Sequence, residues 1–252
     1  VQGEYWEDVL SSGNNARWWS GAKGSLVLDY RNDPFNPTSG SILSGNMQIG
    51  DGLINQVPTV RLMGDLSFIR PIGGFRYKCS LGWGLGRTSD DSPLPLEERF
   101  FLGGANSLRG FYRNQVGPAN EVMWTNFDYP NQIDQAIDQG WRTSQSSRWI
   151  HTGGDVYGLA NLELHWPMSS IGFEAGTLVG FVDLGALQFI ASEVQTDSEV
   201  VSADPFFRYS VGVGMRYTTV IGPIVFDLGI NPSRLTERNE VLLVPNISFG
   251  SF

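Results

Sequence analysis

Residues 76–87 read Arg-Tyr-Lys-Cys-Ser-Leu-Gly-Trp-Gly-Leu-Gly-Arg and alternate between two kinds of side chain. The apolar set is Tyr77, Cys79, Leu81, Trp83 and Leu85. The polar or small set is Arg76, Lys78, Ser80, Gly82, Gly84 and Gly86. Successive side chains of a strand point to opposite faces, so a period of two predicts a β-strand. One face of this strand suits lipid, and the opposite face suits a wet lumen.

Eight further segments alternate in the same way, although Phe181 shares a face with Thr177 and Asp183 and makes one of them less regular. The eight predicted strands are Ala22–Arg31, Ile42–Ile49, Val60–Phe68, Gly154–Trp166, Phe173–Gly185, Phe207–Tyr217, Ile224–Ile230 and Val241–Gly250. Turn-forming residues occupy the short connections Pro34–Gly40, Gly73-Gly74 and Gly222-Pro223. Residues 1–10 are a candidate for a tenth, partial strand.

Composition separates two ways of using alternating strands. Hydrophobic residues make up 41% of the 252 residues and charged residues 17%, against about 25% charged in an ordinary soluble domain. A soluble β-sandwich also alternates, but its outer face is rich in Lys, Glu and Asp. Here the polar face consists largely of Gly, Ser and isolated charges. No stretch approaches the ~18 apolar residues of a spanning helix. We therefore predict an all-β, antiparallel transmembrane β-barrel that crosses the membrane with strands.

Residues 103–111 read Gly-Gly-Ala-Asn-Ser-Leu-Arg-Gly-Phe and break the alternation. Three glycines in nine residues predict a sharply bent loop, because glycine adopts backbone angles that other residues avoid. The bend presents the planar guanidinium of Arg109 between Leu108 and Gly110. The proposed loop motif is Gly103, Gly104, Ser107, Leu108, Arg109, Gly110 and Phe111.

This loop resembles the Gly-Gly-x-x-Ser-Val-Arg-Gly-Phe/Tyr motif of the outer-membrane assembly barrels typified by BamA and TamA, with Leu108 in place of the usual Val. In that family the loop folds back into the barrel lumen. Further matches follow in the family's order, from about Ala22 to the C-terminus. They are Asp29–Gly40, Gln115–Pro118, Leu178–Gly185, Ile221–Asp227 and Asn246–Gly250.

The resemblance implies a barrel of about sixteen strands, of which this chain matches the last nine or ten. Residues 1–252 are then expected to be the C-terminal part of an outer-membrane barrel. The earlier strands and the periplasmic POTRA repeats would lie on the same longer chain or on another chain. A small ten-stranded barrel stays open on length alone, because a closed bacterial barrel avoids an odd number of strands.

The implied activity is assembly and insertion of other outer-membrane proteins in Gram-negative bacteria. The implied partners are outer-membrane lipid, client β-barrel proteins, and accessory lipoproteins or periplasmic domains. The alternatives are a TamA-like or two-partner secretion translocation barrel, and a passive pore or patatin-linked barrel.

Arg109 requires carboxylate partners if it enters the lumen, because an unpaired buried charge costs several kcal/mol. Glu163 and Asp183 lie on the predicted lumen faces of the following strands. Family members use an equivalent pair around the loop arginine, so the resemblance assigns these two residues to Arg109. A structural staple without further duty is the competing interpretation.

Signals for enzyme chemistry are weak. The two histidines are His151 and His165, and His165 falls beside Glu163 on the lumen face, where a polar filler is the simpler interpretation. Residues 104–110 do not match the Gly-x-Ser-x-Gly nucleophile elbow. Cys79, the single cysteine, is predicted to face lipid and rules out an internal disulfide. We predict no enzyme activity and no cofactor.

The net charge and the spacing of the acidic residues argue against two kinds of partner, nucleic acid and metal ions. A net charge of −9 argues against nucleic acid. Three aspartates lie in one acidic stretch but fit no Ca²⁺ loop: Asp128, Asp134 and Asp138. We interpret that stretch as solvated and predict no metal site.

The segment from Arg113 to Ile150 is long and polar, and we find no alternation in it. A short helical turn is indicated at Ile133, Ala136 and Ile137. Outer-membrane barrels have short periplasmic turns and long external loops. Counting strands back from the C-terminus places residues 113–150 outside, as an extracellular cap over the lumen.

The last predicted strand carries the residues of a possible weak seam: Pro245, Ile247, Phe249 and Gly250. Proline lacks the N–H that a ladder requires, and glycine permits a bend. If Ile247 and Phe249 point outward, strict alternation places the final residue, Phe252, on the lumen face. We expect this strand to form one side of a seam at which an incoming strand pairs, although a proline there is equally consistent with a passive protected edge.

Overall fold

In a computed structural model, residues 19–34, 36–52, 58–125, 145–190, 207–219, 222–238 and 240–249 are described. They form eleven strands and three short 3₁₀ helices. The strands are β1 Trp19–Asp29, β2 Gly40–Gly52, β3 Pro58–Ile72, β4 Phe75–Thr88, β5 Ala119–Thr125, β6 Gln145–His151, β7 Val156–Pro167, β8 Gly176–Gln188, β9 Arg208–Thr219, β10 Gly222–Ile230 and β11 Leu243–Phe249. The 3₁₀ helices are Leu96–Glu98, Met168–Ile171 and Thr236–Arg238. Within these residues, no helix has the length and apolar character needed to cross a bilayer.

Nine strands form one antiparallel sheet in the order β1-β2-β3-β4-β7-β8-β9-β10-β11. Each strand pairs with its neighbour in the order, and the described residues contain no pairing between β1 and β11. All nine strands predicted from alternation are present, with boundaries shifted by a few residues. The all-β, antiparallel prediction is therefore confirmed. Residues 1–10, the candidate tenth strand, lie outside the described residues.

The connections divide between two ends of the sheet. At one end, called the turn end, β1 is connected to β2, β3 to β4 through the Gly73-Gly74 turn, β7 to β8 and β9 to β10. At the other, called the loop end, β2 is connected to β3, β4 to β7, β8 to β9 and β10 to β11. The longest connections therefore gather at the loop end.

The segment 113–150 contains structure that alternation did not reveal. β5 and β6 pair within it as an antiparallel hairpin, separate from the main sheet. The sequence pattern gave no signal for these two strands. The predicted helical turn at 133–137 lies outside the described residues.

The two faces of the sheet differ as the alternation predicts. Leu81, Trp83 and Val213 lie on the outer face, and Trp83 and Val213 are 51% and 63% exposed. The inner face buries polar side chains, including Arg208 and Arg216. An apolar exposed surface around a polar buried interior is the inverse of a soluble domain and matches a wall between lipid and a wet lumen.

An apolar cluster fills the inner side near the loop end. We call it the plug: Leu94, Phe100, Leu102, Leu108, Phe111, Val116 and Leu187. Most of its members come from residues 94–116, which fold inward between β4 and β5. Asp155 holds this segment, because its carboxylate accepts the Leu94 N–H at 3.1 Å. Burial raises the pKa of Asp155.

Candidate functional site

The loop motif enters the lumen as a tight bend. Gly103 and Gly104 have φ angles of +110° and +100°, which side chains other than hydrogen rarely tolerate. The Ser107 hydroxyl accepts the Gly103 N–H at 2.8 Å, and the Leu108 carbonyl accepts the Gly104 N–H at 3.1 Å. Gly103, Gly104 and Ser107 therefore fix the bend, and the bend directs the next residues inward.

Residues on either side of Arg109 anchor it. Leu108 and Phe111 are fully buried in the plug. At Gly110 a β-carbon would lie 2.6 Å from the Ile230 carbonyl oxygen, so the loop backbone lies directly on the β9–β10 wall. A β-carbon at Gly229 would likewise lie 2.2 Å from the Arg109 carbonyl oxygen. This close approach explains the glycines on both sides of the contact.

Asp183 is the principal partner of Arg109. Its carboxylate accepts the Arg109 Nε–H at 3.0 Å, an Nη2–H at 2.6 Å and the backbone N–H at 3.0 Å. Asn161 Nδ2 and the Ser210 hydroxyl donate to the same carboxylate at 2.8 and 3.1 Å. Asp183 is 0% exposed and its oxygens accept five hydrogen bonds. Five donors hold this carboxylate firmly in position.

Glu163 is the second partner. Arg109 Nη1 donates to Glu163 Oε1 at 2.6 Å, and His165 Nε2 lies 2.7 Å from Glu163 Oε2. The guanidinium also lies over the Phe181 ring, 3.6 Å from its centroid. This stacking satisfies the face of a group whose edges are hydrogen-bonded.

A second arginine completes the cluster. Arg216 forms a salt bridge with Asp227, with Nη2 to Oδ2 at 3.3 Å. Arg216 Nη2 also lies 3.7 Å from Glu163, and Arg109 Nη1 lies 3.7 Å from Asp227. Two guanidinium groups and three carboxylates from the loop and β7–β10 therefore form one connected ionic network.

A cavity of about 300 Å³ adjoins this network on the inner side. Lys78 lines it from β4, beside Asp65 and Ser80, while Asp227 and Ser248 line it from β10 and β11. Strands from both halves of the sheet share the cavity, so the sheet curls around it. Both signs of charge contribute to its lining.

The network is suited to holding the loop in place. Both guanidinium groups and all three carboxylates have a partner of opposite charge within 4.0 Å. The described residues hold no group of three metal-ligating side chains. Removing one member of such a buried pair costs about 3–5 kcal/mol.

A second cluster ties the 231–242 connection to the sheet. Glu240 forms a buried salt bridge with Arg208 and accepts hydrogen bonds from Asn231 Nδ2 at 3.2 Å and the Leu235 N–H at 2.9 Å. Arg208 also lies over the Phe111 ring at 4.9 Å. The loop motif and the β10–β11 connection therefore meet at the loop end.

The structure brings the loop motif, Glu163 and Asp183 together. It places Pro245, Ile247 and Phe249 on β11, where all three are exposed, and Gly250 lies outside the described residues. Phe252 and the acidic stretch with Asp128, Asp134 and Asp138 also lie outside them.

Three members of the network, Phe181, Arg216 and Asp227, were not predicted from the sequence. Phe181 was visible only as an irregularity of alternation, and its inward position is explained by stacking on Arg109. Arg216 lies in the predicted strand Phe207–Tyr217 but was given no role. Asp227 was quoted in a hairpin motif without a role. Its position on β10, opposite Gly214 of β9, was the available signal, since that glycine leaves room for the Arg216–Asp227 pair.

A curled antiparallel sheet with a lipid-type outer face, a charged lumen and an inserted arginine loop defines the class of outer-membrane β-barrels. The Omp85 superfamily domain matches residues 2–244. The chain therefore belongs to the Omp85 superfamily. The fold and family place it in the bacterial outer membrane, as predicted.

Individual relatives agree with this assignment. The outer membrane protein assembly factor BamA of Nitratidesulfovibrio vulgaris is 26% identical over 215 residues, which is 81% of this chain and 22% of that protein. The sorting and assembly machinery component 50 homolog of Bos taurus is 31% identical over 98 residues, covering 38% of this chain and 21% of that protein. The chain thus spans about a fifth of the length of these curated relatives.

The crystal structure of BamA from Haemophilus ducreyi lacking POTRA domains 1–3 superposes with a TM-score of 0.60 at 18% identity. The match covers 90% of this chain and 42% of that one. At this identity the comparison supports the fold alone.

Proposed function

We propose that the protein assembles and inserts other outer-membrane β-barrel proteins by offering the free edge of β11 as a template. The names of the BamA and component 50 relatives support assembly as the activity. The templating step follows from physics. A strand entering lipid carries backbone groups that lipid cannot satisfy, and an unpaired edge satisfies them by strand addition. This mechanism needs no nucleotide.

The hydrogen-bond pattern of β11 carries the proposal. The Asn231 N–H donates to the Leu242 carbonyl at 2.8 Å, and the β10–β11 register continues from that pair. In an antiparallel ladder, hydrogen-bonded and non-hydrogen-bonded pairs alternate. The pairs Leu228–Pro245 and Phe226–Ile247 are therefore non-hydrogen-bonded. The backbone groups of residues 243, 245, 247 and 249 then point away from β10, toward the free edge.

Pro245 lies at one of these edge positions, so its missing N–H leaves the β10 ladder intact and removes a donor only from the free edge. Any strand that pairs there lacks one hydrogen bond. A client strand that pairs weakly with β11 can be displaced, and a templating edge must release the client strand once the client has folded.

The plug supports insertion over a passive pore. Its seven apolar side chains occupy the lumen near the loop end, and six of them are 3% exposed or less. An ion path would have to cross this apolar layer.

Insertion is tested with the purified protein in lipid vesicles and a urea-unfolded, eight-stranded outer-membrane barrel as client. We expect the client to reach its heat-resistant folded form faster than in empty vesicles. Equal rates would overturn the proposed function.

Templating is tested by crosslinking in a Cys79→Ser background. Ile247→Cys should form a disulfide with a cysteine in the client's terminal strand. Phe226→Cys is the matched control, because Phe226 lies opposite Ile247 in the register and also faces outward, but on a strand paired on both sides. Equal crosslinking at both positions would contradict templating at β11.

A further inference from the structure

We propose that Asn246 is a positioning residue that ties the edge strand β11 to the Arg109 loop, so that the loop sets how readily this edge separates from the sheet. The inference deepens the proposed function and rests on it for its biological purpose. The tie itself is a property of the folded protein without a client.

The tie is one hydrogen bond. Asn246 Nδ2 donates to the Arg109 carbonyl oxygen at 2.8 Å. Among the described residues, this is the one side-chain hydrogen bond from β11 that reaches another element; the other Asn246 contact goes to Val244 within the strand. Within the same residues, β10 is the one strand that forms a ladder with β11. One lumen contact therefore supplements the pairing of an edge strand.

The acceptor of this bond is held rigidly. The Arg109 side chain is fixed by β7 and β8 through Glu163 and Asp183, and its backbone N–H also binds Asp183. The carbonyl oxygen lies against Gly229 of β10, where a β-carbon would approach it to 2.2 Å. Residue 109 thus links β7, β8, β10 and β11 at one point.

Through this contact, the loop affects how readily β11 separates from β10. A neutral hydrogen bond to a fixed acceptor contributes a modest net stabilisation, which is small for the whole barrel but matters for one strand. Local opening is governed by the few contacts of the opening unit. Loss of the tie should therefore free β11 while leaving the other strands as they are.

The direct test is amide hydrogen exchange of the protein in lipid nanodiscs without client. Asn246→Leu removes the donor at nearly constant volume. We expect the amides of residues 244, 246 and 248, which donate to β10, to exchange about fivefold faster, from the net strength of one hydrogen bond, and those of β9 to be unchanged. Ser248→Ala is the matched control on the same inner face, and it should leave exchange unaltered.

A second variant reaches the tie from the acceptor side. Gly229→Ala displaces the Arg109 carbonyl and should also speed exchange of the amides of residues 244, 246 and 248. Gly180→Ala on β8 is its control, because a β-carbon there meets no atom within 4 Å.

Unchanged β11 exchange in both Asn246→Leu and Gly229→Ala would overturn the tie, and so would acceleration spread equally over β9. Neither measurement uses a client. Failure of the parent protein to insert a client would instead refute the proposed function, so the two failures are distinguishable.

Discussion

Replacing Arg109 by alanine tests whether the loop arginine stabilises the barrel. The substitution removes two side-chain hydrogen bonds to Asp183, one to Glu163 and the stacking on Phe181. Asp183 keeps the residue 109 N–H, Asn161 and Ser210, but it loses its cation while fully buried. Removing one member of a buried ion pair costs about 3–5 kcal/mol. The nearby Arg216 is held by Asp227 and lies 3.7 Å from Glu163, which places the cost toward the lower half of that range.

Samples are heated to increasing temperatures and run on a gel, and the measured quantity is the temperature at which the band of the folded protein disappears. About 2–4 °C is lost per kcal/mol in a protein of 150–250 residues, so we expect a drop of about 10 °C. Arg87→Ala is the matched control. Arg87 pairs with Asp91, but both side chains are more than 60% exposed, and such pairs contribute about 0–1 kcal/mol.

The prediction is wrong if the melting temperature of Arg109→Ala lies within about 2 °C of that of Arg87→Ala. That result would mean that water in the lumen solvates the carboxylates as well as the guanidinium does, and that the network does not stabilise the fold. A double-mutant cycle with Asp183→Ala then separates the pair from its surroundings, since coupling between contacting residues is expected at about 0.5–3 kcal/mol.

Three further outcomes follow from the same geometry. In a Cys79→Ser background, Ser80→Cys should react with a water-soluble maleimide and Leu81→Cys should not, since Ser80 lines the cavity and Leu81 faces outward; the reverse pattern would mean a register shifted by one residue. Asp155→Asn should raise the melting temperature at neutral pH and lose that advantage in acid. Because burial raises the pKa of Asp155, its charge destabilises the folded protein at neutral pH, where the carboxyl is ionised, and not in acid, where it is protonated. An equal effect of Asp155→Asn on the melting temperature at both pH values would contradict this. An epitope inserted at residue 135 should bind antibody on intact cells, because residues 113–150 are predicted to be external; binding only after permeabilisation would invert the topology.

Alternation predicted the main sheet because each strand has one face in an apolar environment and one in a polar environment. Arg76–Arg87 and Phe207–Tyr217 show this pattern without interruption, and both correspond to strands of the sheet. The β5–β6 hairpin was missed because its strands belong to neither wall of the main sheet, so no alternation between lipid and lumen is imposed on them.

The site was predictable in part for a related reason. Alternation shows which carboxylates face the lumen, and this restricted the possible partners of Arg109 to a few, including Glu163 and Asp183. Alternation could not show which of these carboxylates lies closest to Arg109, because that distance depends on how the sheet curls and how deeply the loop enters the lumen. Asp227 and Arg216 also alternate onto the lumen face, and only the folded structure shows that they join the network. Asn246 was missed for the same reason, since its partner is a backbone carbonyl that carries no sequence signal.

The arrangement of residue 109 resolves a conflict between two requirements of the proposed function. A templating edge must pair weakly, and Pro245 weakens it on the side facing away from β10. A weakly paired strand, however, tends to fray and to lose its register. The lumen loop counters this from the inner face, because Asn246 binds a carbonyl whose residue is fixed by Asp183 and Glu163. The contact lies on the inner side of β11 and leaves the edge groups of residues 243, 245, 247 and 249 unobstructed. Restraint and template thus use different faces of one strand, so the buried charges can hold β11 in place without competing with an incoming strand.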